Sequence, residues 1–467
     1  VVRWAEEPKS TGAGSLLIRN IGTLVHTDNG TIEQDVDLQI ENGRIAAIGR
    51  NLALRTATPS RVIDGSSCAV YPGFINTTHH HLFQCLTRNL PAIQNAKLFD
   101  WLTALYQIWR CLTPEAIAVA TQVGLGELLL SGCTTSTDHL YLFPAGAPQE
   151  WIDIEIETAR EMGMRFYPTR GSMSCGKSAG RLPPDEITQK PDQILADSVR
   201  LIEKYHDPSP FAMCRVALAP CAPFSVTEEL LRETAALARS KGVLLHTHLA
   251  ETLDEENYCL RRYGIRPLEY MRRNNWTGPD VWYAHGIYFD DEEIRLLAQS
   301  GTGIAHCPAS NLRLGSGICR VPRLLQEGVK VGLAVDGSSS NDSGNFVREM
   351  QLALLVHRVA TGVEAMPGTR VLRMATIGGA ELLSWPEIGR LRPGCAADLA
   401  MFRLDRLDFA GAMHDPSTAI LFCGAGLRAE YTIVNGEVLV EHGQLTRMDE
   451  ARLVARTNEI AARLVRG

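Results

Sequence analysis

Between about Pro72 and Trp385 the chain alternates short apolar runs that end in polar residues with stretches of helical pattern. Eight such runs can be counted: "YPGFINTTHHH", "CTTSTDHLY", "MRFYPTRGSM", "CRVALAPCAP", "GVLLHTHLAE", "VWYAHGIYF", "TGIAHCPAS" and "VKVGLAVDG". Short strands alternating with amphipathic helices make a parallel sheet covered by helices, because each crossover helix must bury one face on the sheet. Eight repeats is the number that closes such a sheet on itself, so the pattern predicts an α/β fold, a (β/α)8 TIM-type barrel. The helical stretches carry their own punctuation. "CLTPEAIAVATQVGLGELLLSG" places Thr113 as N-cap, Pro114 at the first helical position and Gly132 beyond the end. "SVTEELLRETAALARSKG" has the Ser225-to-Glu228 spacing of a capping box and stops at Gly242, and Asp290 to Gly301 repeats the design.

The two ends have a different rhythm. From Leu16 to about Tyr71, and again over the last eighty residues, short β-like segments are broken by turn residues. Asn42-Gly43 and Asn435-Gly436 each sit between alternating runs, and both residue types tolerate the positive φ of a type I′ hairpin turn. These ends predict one small β-sandwich domain built from residues 1–71 and 391–467, around a catalytic barrel of residues 72–390. The first fifteen residues read as a loose end without the basic start and apolar centre of a signal peptide.

Composition narrows the partners. The formal net charge of -7, from 46 basic and 53 acidic residues, gives no positive field for a nucleic-acid backbone, so a small-molecule substrate is expected. No run approaches the apolar length of a membrane span. Twelve cysteines lie scattered without a CxxC pair, which reads as reduced thiols and a cytoplasmic location. A homo-oligomer is expected, since barrels of this size associate through their helices.

Barrel enzymes hold their chemistry at the C-terminal ends of the strands. Residues two apart on a strand share a face, so His79 and His81 can both point into the barrel mouth while His80 points away. The fifth run ends "HTHLAE", with His246 one layer deeper than His248 and Glu251 on the emerging loop. His285 ends the sixth run and Asp336 the eighth. Histidines and a carboxylate from four strands on one rim point to a divalent metal, with Zn2+ expected and Fe2+ accepted by the same donor types.

With these motifs in view, the sequence resembles the amidohydrolase superfamily, in its branch of cytosine-, guanine- and triazine-type deaminases. The resemblance runs through "PGFINTTHHHLFQ", "HTHLAE", "AHG", "HCPASNLRLGSG", "VDGSSSND" and "IGRLRPGCAADL", and so covers nearly the whole chain. It implies that His79, His81, His248 and Asp336 bind one divalent metal, that Glu251 is the proton shuttle, and that His285 orients or helps deprotonate a water. Three imidazoles and one carboxylate leave a position open, and a metal there lowers the pKa of water towards 7. Attack on a carbon bearing an exocyclic amine, with Glu251 protonating the adjacent ring nitrogen and Asp336 and His285 taking the water proton, releases ammonia. One departure is that Asn76 stands three residues before His79 instead of the family's two. The fourth run ends "LAPCAPFS" without the lysine of two-metal relatives, and Cys221 reads as a packing residue because no P-C-x-x-C follows.

For the substrate, "HHHLFQCLTRNLPAIQNAKLFDWL", "CTTSTDHLY" and "TRGSMSCGKSAGRLPPD" are similar to deaminases of isoxanthopterin and 8-oxoguanine, fused rings with a 2-amino-4-oxo edge. Gln84 and Arg170 suit such edges, with Tyr141 and His139 as further contacts. Arg170 can equally pair with an acidic residue at the rim. Trp101 and Phe99 form either an aromatic wall or core packing, and Ser310, Asn311 and Ser338 to Asn341 read as loop-shaping residues. A pterin is favoured over a purine because the chain departs locally from the oxoguanine pattern. The alternatives are an 8-oxoguanine or guanine deaminase, a triazine dechlorinase or aminohydrolase, and a decayed barrel that only holds metal.

Overall fold

The computed structural model describes residues 15–52, 59–79 and 82–466. Each of the eight runs contains a strand: Phe74–Asn76, Cys133–Leu140, Arg165–Ser172, Ala217–Pro220, Leu245–Leu249, Val281–His285, Gly303–His306 and Val331–Leu333. They lie side by side in chain order, each parallel to the next. The sheet closes where the Thr77 N–H donates to the Leu333 carbonyl at 3.1 Å and the Asp336 N–H to the Thr78 carbonyl at 3.2 Å. The barrel is filled with side chains. His246 stacks on Trp282 at 4.5 Å between ring centroids, and Tyr167 lies 6.2 Å from the same indole.

Capping fixes where the outer helices begin. Thr113 caps Pro114–Leu130, accepting from the Ala116 N–H at 3.2 Å, and Gly132 leaves with φ +87°. Asp290 and Glu293 form the capping box of Asp291–Ser300, and Gly301 ends it in the left-handed region. The Ser225-to-Glu228 box does not form. The cap of Glu228–Lys241 is Thr227, whose hydroxyl accepts from the Leu230 N–H at 3.1 Å. Ser225 stays in the preceding loop because its carbonyl accepts from the Ser174 and Cys175 N–H groups at 3.0 and 3.1 Å.

The chain ends meet in two sheets. Leu16–Ile21, Val36–Glu41, Arg44–Gly49 and Arg61–Asp64 form one, with Asn42 and Gly43 at φ 51° and 75° in the hairpin turn. In the other, Cys68–Pro72 from the N-terminal part lies antiparallel to Leu399–Arg403 from the C-terminal part. Ile18, Leu38, Val70, Leu399, Met401 and Ile433 share one core between these sheets. Gly73 leads from the second sheet into the barrel, where a Cβ would fall 2.1 Å from Thr134 Oγ1. The last described stretch is not β-like: Glu450–Arg466 is a helix that packs on Pro114–Leu130 and buries Ile460 and Leu464. Leu453, Ile460 and Leu464 recur at intervals of seven and four, a helical spacing that the turn-rich text before it obscures. Among the described residues no helix is long and apolar enough to cross a membrane.

Candidate metal centre and cavity

Three non-glycine residues at the barrel's mouth have left-handed backbones: Ala250 at φ 53°, His285 at 73° and Asp336 at 62°. L-residues avoid this region, and such strain collects where a side chain must be turned in a set direction. The fifth, sixth and eighth strands each end in one of these turns.

The imidazoles are held through one nitrogen each. His79 Nδ1 lies 2.9 Å from Asp138 Oδ1, an oxygen that also accepts from the Leu82 N–H at 3.1 Å. His248 Nδ1 lies 2.6 Å from the Cys221 carbonyl, and His285 Nδ1 2.8 Å from Asn311 Oδ1. These oxygens only accept, so each Nδ1 carries the hydrogen and each Nε2 keeps the lone pair that a metal or a proton takes. Burial pushes the imidazoles down, to about 3 for His79 and His248 and about 4 for His285, so all three are neutral at pH 7. Neutral imidazoles and carboxylates are donor types that a divalent cation takes; among the described residues, the ligand atoms that lie within 4.8 Å of one another belong to His285, Cys307 and Asp336. His80 and His81 lie outside the described residues.

Three titratable side chains meet at the same rim. His285 Nε2 is 3.5 Å from Glu251 Oε2 and 4.0 Å from Asp336 Oδ2. Burial raises the Glu251 carboxyl to about 8, so it carries a proton at neutral pH and can donate it. The Ser316 hydroxyl contacts Glu251 Oε1 at 3.4 Å, and the Ser340 hydroxyl contacts Asp336 Oδ2 at 3.4 Å. Cys307 offers a sulfur within 4.8 Å of ligand atoms of His285 and Asp336. Burial holds its thiol well above the usual range, and Sγ contacts the Ala305 carbonyl, so it packs as a neutral thiol.

His246 is engaged deeper in the barrel, with Nε2 2.9 Å from Thr78 Oγ1 and Nδ1 3.0 Å from the Trp282 carbonyl. His139 stacks on His248 at 4.9 Å and supports it. Above them lies a small cavity of about 40 Å3, walled by Gln84, Trp101, Tyr141, Phe224, Glu251 and Leu314. Ser339 N–H faces the Gln84 side chain at 3.2 Å; a backbone N–H can only donate, so the facing atom is Oε1 and the amide NH2 is the other end. Tyr141 stands edge-on to His248 at 6.2 Å. Trp101 is cavity wall and also packs edge-on to Trp109 at 5.6 Å, whereas Phe99 packs on Phe224 at 5.1 Å. Cys221 is both buried and part of the cavity wall.

Arg170 is not brought to the cavity. Its Nε donates to Asp197 Oδ2 at 2.7 Å and its Nη2 to Gln189 Oε1 at 2.9 Å, with the guanidinium over the Phe143 ring at 4.0 Å. Asp138, which stands beside His139 in the second run, and Asn311, expected only to shape a loop, hold two of the imidazoles. Both act across at least 26 residues of chain, so no local pattern marks them.

Residues 69–439 match the profile of the amidohydrolase family. The chain belongs to the amidohydrolase family. It is 47% identical over 446 residues to an 8-oxoguanine deaminase of Pseudomonas aeruginosa, covering 95% of this chain and 98% of that one. To an isoxanthopterin deaminase from an unknown prokaryotic organism it is 38% identical over 426 residues, covering 86% and 87%. The atrazine chlorohydrolase of Arthrobacter aurescens TC1, solved in complex with zinc, superposes with a TM-score of 0.90 at 36% identity, over 96% of this amidohydrolase and all of that chain. This amidohydrolase is therefore a hydrolase acting on carbon–nitrogen bonds, with deaminases among its relatives.

Proposed function

We propose that the protein is a metal-dependent aminohydrolase that replaces the exocyclic amine of a fused 2-amino-4-oxo heterocycle by a carbonyl, with 8-oxoguanine as first substrate. The observation that carries this reading is the approach of Glu251 and Asp336 to one nitrogen of His285, at 3.5 and 4.0 Å, beside the cavity. His79, His81, His248 and Asp336 would hold one divalent ion; zinc is our choice because the atrazine chlorohydrolase was solved with it. When bound, that ion supplies Lewis acidity and a water of lowered pKa.

The remaining steps belong to the side chains. Glu251, protonated at neutral pH, gives its proton to the ring nitrogen next to the amine-bearing carbon as charge develops there. Asp336 and His285 take one proton of the attacking water, and its relay to the amine lets the C–N bond break. The second proton, lost from the new hydroxyl as the carbonyl forms, returns to Glu251, so one water is consumed and one ammonia released. Gln84 offers NH2 donors to a carbonyl or ring nitrogen of the substrate, with Tyr141 beside it. Arg170 supports the reading only indirectly, by bracing the third strand through Asp197.

The purine comes before the pterin because the likeness to the 8-oxoguanine deaminase spans 95% of the chain at 47% identity. Isoxanthopterin is the second reading, favoured by the 38% identical relative. Ammonia release from 8-oxoguanine, isoxanthopterin, guanine and cytosine, with chloride release from a chlorotriazine, orders the substrates. Turnover confined to the triazine would replace the deaminase reading, and a metal-loaded protein inert towards all five would favour a scaffold. The twelve free cysteines favour the cytoplasm as the place of action.

A further inference from the structure

One side chain binds two N–H groups of the turn that carries Glu251. The N–H of Ala250 donates to Glu255 Oε1 at 3.1 Å, and the N–H of Glu251 donates to Glu255 Oε2 at 3.0 Å. Ala250 is the residue with left-handed backbone at φ 53°, and its carbonyl accepts from the Ile287 and Tyr288 N–H groups at 2.8 and 3.1 Å. Glu255 is 1% exposed and belongs to the wall of the same cavity.

Its place in the sequence suggests a humbler task. Thr252 caps the helix Leu253–Tyr263 and accepts from the Glu255 N–H at 3.3 Å, so Thr252 and Glu255 have the spacing of a capping box. In that motif the glutamate reaches back to the N–H of the cap residue. Here both carboxyl oxygens accept from the two N–H groups before the cap, on the strained residue and on Glu251 itself.

We infer that Glu255 is a positioning residue for Glu251: it clamps the left-handed turn and so fixes the direction in which the Glu251 carboxyl leaves the chain, towards His285. The inference rests on the proton-transfer role proposed for Glu251. Glu255→Gln keeps the size and one acceptor oxygen but turns an NH2 against an N–H, so one arm of the clamp is lost.

Two measurements test it. Hydrogen exchange at the Ala250 and Glu251 amides is independent of the substrate; in Glu255→Gln these two amides exchange at least about tenfold faster while those of Leu253–Tyr263 keep their rates. Wild-type rates at both amides would overturn the clamp whatever the protein acts on. On the substrate that the wild type turns over best, Glu255→Gln lowers kcat about tenfold or more with KM within about twofold, and causes no further loss in a Glu251→Gln background. An equal loss with and without Glu251, or an unchanged kcat, would overturn the positioning role. Absence of wild-type turnover on every heterocycle would instead count against the proposed function, leaving the exchange rates to decide the clamp.

Discussion

Asp138 shows how one residue can matter without touching the substrate. Its Oδ1 joins His79 Nδ1 to the Leu82 N–H, fixing both the ring and the chain that leaves the first strand. Asp138→Asn should lower metal affinity about 10- to 100-fold, measured by chelator competition, with the fold intact by circular dichroism. Arg170 is the opposite case. Its guanidinium is spent on Asp197, Gln189 and Phe143, so Arg170→Lys should lower the melting temperature and leave KM within about twofold. His79 and His248 stand at strand ends, where alternation sets which residues reach the rim, whereas Glu251, His285 and Asp336 depend on left-handed turns that alternation does not display. The sequence did not separate Arg170 from the substrate contacts, because a strand-end arginine has the same local text whether it faces a ligand or a neighbouring helix.

At the scale of elements, the eight strands were legible because a repeated alternation is read eight times over, and a misjudged boundary in one run does not change the count. Caps were less legible. Ser225 and Thr227 are both cap-forming residues just ahead of the same helix, and only the bonds from Ser174 and Cys175 to the Ser225 carbonyl decide between them. Thr227→Ala should therefore cost about 1 kcal/mol in denaturant unfolding, the value of a lost N-cap. The helix Glu450–Arg466 was hidden for a different reason: its footing is Pro114–Leu130, more than 300 residues earlier, and Arg456 reaches Glu115 there. Elements whose partners are distant in the chain carry only their own periodicity as a signal.

At the scale of the molecule, the barrel and the terminal sheets are joined by a buried pair. Arg165, on the third barrel strand, donates through Nε and Nη2 to Asp398 at 2.9 and 3.1 Å, and Asp398 also accepts from the Asn435 N–H at 2.7 Å. Asp398→Ala leaves the guanidinium buried without its partner, so a loss of about 3–5 kcal/mol is expected in thermal or denaturant unfolding. The same frame brings the ends of distant strands to one mouth, and the proposed chemistry depends on that convergence. The most direct test is a joint assay of ammonia and ultraviolet absorbance on 8-oxoguanine with the metal-replete protein, repeated after chelation and after zinc is returned. One ammonia for each ring converted to its trioxo product, loss of turnover with the metal, and recovery with zinc are expected. Turnover that survives complete removal of the metal, or a metal-replete protein that releases no ammonia from 8-oxoguanine or isoxanthopterin, would contradict the proposed chemistry.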